Sequence, residues 1–145
     1  MPLDRDWIAA HIPHRGAMCL LDGVLEWDEM RIACRASSHR DPGNPMRVAG
    51  RLPAACGIEY AAQAMAVHAA LLARGAPLGR GVLASARAVT LHAARLDDAE
   101  GPLRISAERL SGEARQVLYA FRLSCDAGEL LGGRAAVLLE APARA

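Results

Sequence analysis

Apolar residues recur at two different periods along this chain, and the change between them marks its organisation. Ile58, Ala61, Ala62, Met65, Ala69 and Leu72 repeat at helical spacing within a segment from Ala54 to Arg74. Pro53 opens that segment, where a missing N–H costs nothing, and Gly75 with Pro77 stops it. The opposite helix face is also mostly Ala, so this helix is expected to be enclosed on nearly every side. Beyond it the period falls to two. Val82 to Leu96 forms a long apolar run, Leu103, Ile105 and Ala107 alternate with Arg104, Ser106 and Glu108, and Val117, Tyr119, Phe121 and Leu123 alternate with Leu118, Ala120 and Arg122. Turns at Ser111-Gly112-Glu113 and Asp126-Ala127-Gly128 separate these runs, and a last strand is expected around Arg134 to Leu139.

Ahead of the helix, residues 5–11 predict a short amphipathic helix ended by Pro13. Met18 to Trp27 and Arg31 to Ala36 predict a hairpin turning at Asp28-Glu29. Residues 39–53 hold three prolines and two glycines, a loop too long for a plain connector and therefore a candidate functional or partner-contacting element. Short turns between the later strands imply antiparallel neighbours. The expected architecture is α+β: an antiparallel sheet wrapped around one long central helix, as a single domain over residues 1–145. Such a sheet leaves one edge and one helix flank uncovered, which predicts a dimer.

Composition narrows the chemistry. The chain is 52% hydrophobic but only 3% aromatic, so Ala, Leu and Val must build its core. A net charge of +1 lacks the basic surplus of a nucleic-acid binder. All 17 basic residues are Arg, which excludes Schiff-base chemistry and a phosphate-loop lysine. The four cysteines form no CxxC pair, and the opening residues MPLDRDWIAAHIPH carry two acids and no apolar run, so a reduced, cytoplasmic protein without a signal peptide is expected. Glu59, Gln63 and His68 interrupt the longest low-charge stretch, Leu52 to Ala73, which argues against a membrane span.

Glu59 is the most informative residue, a carboxylate early in a helix otherwise built to be buried. A helix macrodipole also favours a carboxylate there, so its position alone does not assign a catalytic role. Gln63, at i+4, shares its face and can hydrogen-bond it. His39 stands at the start of the long loop, where a flexible active-site element would be, whereas His68 and His92 read as structural. His11 and His14 lack a third ligand at usable spacing, so no metal site and no cofactor are expected.

Two segments resemble the hotdog-fold 3-hydroxyacyl-acyl-carrier-protein dehydratases of fatty acid synthesis. Ile12-Pro13-His14-Arg15 followed by Met18-Cys19-Leu20-Leu21-Asp22-Gly23-Val24-Leu25-Glu26 is similar to the family's "LPHR…LLVDRVLE" opening, and Pro53 with Gly57-Ile58-Glu59-Tyr60-Ala61-Ala62-Gln63-Ala64 is similar to its "PG…E-x-x-A-Q" helix start. The resemblance implies a hotdog fold and removal of water from a 3-hydroxyacyl thioester. In relatives a loop His pairs with a Glu or Asp on the partner's helix, while the helix N-terminus polarises the thioester carbonyl.

On this chain the resemblance implies Glu59 as the acidic member, with Gln63 beside it, and carbonyl contacts near Ala54 and Gly57. Ala54 replaces the family's helix-start Gly. Met65, Val82, Leu83 and Ala84 would line the acyl tunnel, and His14 matches a residue the family carries besides its catalytic His, here assigned to substrate binding. The family's catalytic His would fall near Pro45, within Gly43-Asn44-Pro45-Met46, where there is none. His39 and the weaker Asp41 are the substitutes on this chain. The pattern resembles a diverged subgroup found in aryl-polyene-type pathways. It implies a homodimer, or a heterodimer with a second hotdog dehydratase that supplies the His, acting on an acyl chain carried by the phosphopantetheine arm of an acyl carrier protein. Arg15, Arg47 and Arg51 are candidate contacts for that carrier. The alternatives are an inactive acyl-binding or partner-stabilising hotdog subunit, and a hotdog thioesterase.

Overall fold

The structure, a computed structural model, describes residues 2–14, 16–74, 81–112 and 115–139, with the side chains of Val82 and Leu139 left out. Helix α1 (Arg5–His11) is capped by Asp4, whose carboxylate accepts the Trp7 N–H at 3.0 Å. Strands β1 (Gly23–Trp27) and β2 (Arg31–Ala36) form the first hairpin, with Asp28 accepting the backbone N–H groups of Met30 and Arg31 in its turn. The long helix α2 (Gly57–Ala73) follows, and then β3 (Gly81–Leu91), β4 (Leu103–Gly112), β5 (Gln116–Cys125) and β6 (Gly128–Leu139). All six strands make one sheet in the order β1-β2-β4-β5-β6-β3, every neighbouring pair antiparallel.

Alternation along the strands decides which face meets α2. Ile32, Cys34, Ile105, Ala107, Phe121 and Leu123 are buried. The intervening Arg31, Arg35 and Arg104 instead pair with Glu108, Asp22 and Glu26. The sheet's inner face therefore closes over the helix, which buries Tyr60, Ala61, Ala64, Met65, Val67 and Leu71 in the same core. Gly57 lies so close to β5 and β6 that a Cβ there would stand 2.6 Å from Leu131 and 3.1 Å from Leu123.

Local differences from the sequence expectation have physical causes. Residues 54–56 form a 3-10 turn after Pro53, so α2 itself begins at Gly57. Its last turn closes at Arg74 in the left-handed region (φ 52°), while the expected stop signals Gly75 and Pro77 lie outside the described residues. Met18 to Leu21 do not join β1. Gln63 holds them instead, its Oε1 accepting the Leu20 N–H at 2.9 Å and its Nε2 donating to the Met18 carbonyl at 2.7 Å. The run from Val82 leaves the sheet after Leu91, and its backbone ties down the helix start: the Ala54 N–H donates to the Ala94 carbonyl and the Leu96 N–H to the Leu52 carbonyl. Strand β6 begins at Gly128, earlier than its GELLGG sequence suggests, because a full ladder with β5 supplies the pairing that alternation does not. The helix is not enclosed all round: Glu59, Ala62, Ala66 and Ala69 form a half-covered stripe.

Candidate active site

Glu59 occupies the first turn of α2, on that half-covered stripe. His14 reaches it from the segment after α1, which is anchored by buried Ile12 and the bond from the Ile12 N–H to the Ile8 carbonyl. The His14 Nε2 stands 2.9 Å from Glu59 Oε1, with the two side chains 25% and 33% exposed. Gln63 Nε2 approaches the same oxygen at 3.4 Å. The hydrogen bond from His14 holds the Glu59 carboxyl below its ordinary range, burial works against it, and Gln63 reinforces it. The outcome is a carboxylate kept ionised and oriented, whose second oxygen has no hydrogen-bond partner among the described residues.

The pair opens onto a cavity of about 540 Å³ between α2 and the sheet. Ala62, Met65, Ala66 and Ala69 supply its helix wall, and Leu83, Val117, Tyr119 and Val137 supply its sheet wall. His11 and Pro13 stand at its exposed end beside His14, with the His11 ring stacked on Trp7 at a centroid distance of 3.9 Å. A thioester whose reacting carbons reached Glu59 would have an apolar channel for its chain.

The structure redistributes several residues singled out from sequence. His39 is fully buried, its Nε2 donating to the Ala99 carbonyl at 3.0 Å, and burial depresses its pKa. It does not line the cavity and it is not brought to Glu59, so its assignment as a catalytic base is corrected. The loop after it is fastened in the same way. Asn44, within the stretch where the resemblance placed a catalytic His, is buried and donates to both the Ser38 carbonyl (3.0 Å) and the Tyr60 hydroxyl (3.1 Å). The Ser38 hydroxyl also bonds Tyr60 at 2.8 Å. This segment straps the loop to α2 and presents no base.

Ala54 and Gly57 are corrected as carbonyl contacts. The Ala54 N–H is spent on Ala94, the Gly57 N–H on the Ala54 and Ala55 carbonyls, and neither residue lines the cavity. Met65 and Leu83 do line it, Ala84 does not, and the Val82 side chain lies outside the described residues. Arg47 bonds the His39 and Gly50 carbonyls within its own loop, and Arg15 lies outside the described residues. Gln63, expected beside Glu59, spends most of its bonding on the Met18–Leu20 backbone. Sequence reasoning did not find the His14–Glu59 pair, nor Val117, Tyr119 and Val137. Alternation put Val117 and Tyr119 on one strand face, and only the folded sheet turned that face to the cavity.

Burial pushes the Cys34 thiol up to about 12, and Cys34 has no role in this site. Among the described residues no group of three or more His, Cys, Asp or Glu could hold a metal ion, and no helix is long and apolar enough to cross a membrane.

An antiparallel sheet curled over one central helix, with a carboxylate in the first helical turn facing a channel between them, is a hotdog fold. Residues 7–143 match the ApeP-like family, described as ApeP dehydratase, and the chain belongs to that family. Among solved structures it is similar to a chain of the dehydratase heterocomplex ApeI:P from Xenorhabdus doucetiae, at 23% identity and a TM-score of 0.83, covering 97% of this chain and 92% of that one. It is also similar to AziG from S. sahachiroi, at 20% identity and a TM-score of 0.55, covering 87% and 94%. A putative thioesterase from Shewanella oneidensis is similar at 14% identity and a TM-score of 0.64, covering 94% of each chain. At these identities the likeness is one of fold. No curated protein matches the sequence.

Proposed function

We propose that this chain removes water from a 3-hydroxyacyl thioester presented by an acyl carrier protein, using Glu59 and His14 of the same protomer. The observation that carries this reading is the 2.9 Å contact between His14 Nε2 and Glu59 Oε1 at the head of an apolar channel. Glu59, held ionised, takes the proton from Cα. The Glu59 carboxyl, held in place by the His14 hydrogen bond, then delivers that proton to the departing C3 hydroxyl as the C–O bond breaks and the double bond forms. Water leaves, and the pair returns to its starting protonation.

This reading gives a partner subunit a different task from supplying a histidine. Among the described residues, strand β3 ends the sheet with an unpaired edge of 11 residues, in which Arg87 is the one charged side chain and Leu83 and Leu91 are exposed. Leu83 also lines the channel, so a second hotdog subunit pairing along β3 would close its open flank. That subunit is either a second copy or, as in the heterocomplex named above, a different hotdog dehydratase.

The test is turnover of a carrier-linked 3-hydroxyacyl thioester by this chain, alone and with a hotdog dehydratase encoded beside it. Enoyl absorbance and free thiol are followed together. The proposal requires enoyl formation that drops by about 10²–10⁴-fold in Glu59→Gln, the usual worth of a positioned general base. Thiol release without enoyl would mean a thioesterase, and binding without either product an inactive acyl-binding subunit. Unchanged enoyl formation in the variant would remove Glu59 from the chemistry.

A further inference from the structure

We infer that His11 grips the arm on which the thioester is presented, its Nε2 accepting a hydrogen bond from an amide N–H of that arm. This rests on the reading that the substrate is a carrier-held acyl thioester whose reacting carbons lie at Glu59.

The His11 ring is held in one orientation. It closes α1, where it stacks on Trp7 with centroids 3.9 Å apart and planes 10° from parallel. Its Nδ1 lies 2.7 Å from the Trp7 carbonyl. A carbonyl can only accept, so Nδ1 carries the hydrogen, and in the neutral ring Nε2 is left as an acceptor. The helix end accounts for the first nitrogen, because an imidazole donor there satisfies a last-turn carbonyl. It does not account for the second, which has no hydrogen-bond partner among the described residues.

That nitrogen belongs to the polar end of the cavity. Ala62, Met65, Ala66, Val117 and Val137 line the apolar part, whereas His11, Pro13 and His14 line the end at Glu59. Tyr119 spends its hydroxyl on His68 at 2.6 Å, and His14 spends Nε2 on Glu59 with its Nδ1 enclosed in protein. His11 Nε2 is left unspent, on an exposed residue. The chain from His11 to His14 spans at most about 11 Å, and His14 touches Glu59. A thioester at Glu59 with its acyl chain along the apolar part turns its arm toward His11. In an arm of the pantetheine type the nearest amide stands a short ethylene link beyond the sulfur. A ring already locked gives up little conformational freedom when it takes that hydrogen bond.

The experiment compares thioesters of one 3-hydroxyacyl group on pantetheine, which carries amides, and on propanethiol, which carries none. Turnover is measured for both, and in parallel the binding of the matching unreactive thioethers. His11→Asn keeps a donor for the Trp7 carbonyl but stops short of the Nε2 position. It should raise KM for the pantetheine thioester by about two- to tenfold, the worth of one neutral hydrogen bond, with kcat held. The propanethiol thioester should be unaffected. His11→Gln carries an amide oxygen to the Nε2 position and should restore most of the loss. An equal effect on both thioesters, no effect on either, or a Gln variant no better than Asn would overturn the inference, as would failure of the folded protein to bind either thioether. Thioether binding that discriminates as described, without enoyl formation, would uphold the grip and defeat the dehydratase reading instead.

Discussion

His14 and Glu59, 45 residues apart in the chain, meet at 2.9 Å at the head of the channel between α2 and the sheet. The contact makes a hydrogen-bonded pair from a single protomer, whereas the His39 ring of the pre-helix loop is buried against the Ala99 carbonyl.

The pH behaviour of the pair follows from that contact. The hydrogen bond from His14 is the largest influence on the Glu59 carboxyl and lowers it below the ordinary 4.5, whereas burial raises it. Activity that needs the carboxylate is therefore retained as pH falls through 4.5 and lost only below it. In His14→Asn the lowering influence weakens while burial remains, so the Glu59 titration should move upward. Carbon-13 NMR of the Glu59 carboxyl reads this directly. A midpoint unchanged by the substitution would contradict the pairing.

The strap formed by Ser38, Asn44 and Tyr60 is a stability element. Asn44→Ala removes a donor from the buried Tyr60 hydroxyl and one of the two that the Ser38 carbonyl accepts from, at a cost of about 1–3 kcal/mol. Urea denaturation should show the lower midpoint with an unchanged slope. Residual protein, compared at equal folded fraction, should still bind acyl thioethers, because none of the three residues lines the channel.

Two buried histidines predict acid lability. Burial lowers the pKa of both His39 and His68 below the ordinary 6.5. As pH falls through 6.5 the unfolded chain takes up protons that the folded chain resists, so stability is full above 6.5 and declines below it. Denaturation midpoints at pH 7.5, 6.5 and 5.5 should fall in that order. His68→Gln, which offers a donor and an acceptor without titrating, should flatten the decline. An equally steep decline in that variant would assign the effect elsewhere.

Strand β3 should be where subunits join. Ala86 is exposed at mid-strand and pairs with Ala135 on its inner side only. Ala86→Glu would set like charges near one another across a self-paired edge and should shift the protein toward monomer in light scattering. Activity should fall with the dimer fraction, because the channel flank at Leu83 would then stay open.

Much of this molecule was legible before any coordinates. Helical recurrence from Ile58 to Leu72, alternation in β4 and β5, and the breaker density after His39 each report a local preference, and local preferences act through near neighbours in sequence. The pairing of residues was less accessible. Met18 to Leu21 look like strand because they are apolar, yet Gln63 supplies their hydrogen bonds from another element. His39 looks available because it opens a loop, yet its ring is turned into the interior toward Ala99. His14 looks incidental because Ile12 and Pro13 set it apart from any repeating pattern, yet α1 delivers it to Glu59.

The amino-acid order alone determined that a small-residue helix would be wrapped by an antiparallel sheet, and that Glu59 would sit in the helix's first turns, since side-chain size and period dictate both. Which histidine meets that carboxylate, which backbone N–H groups are already spent, and which faces border the channel were decided only by the tertiary structure. Each depends on contacts between elements far apart in the chain, whose relative placement follows from the packing of the whole core.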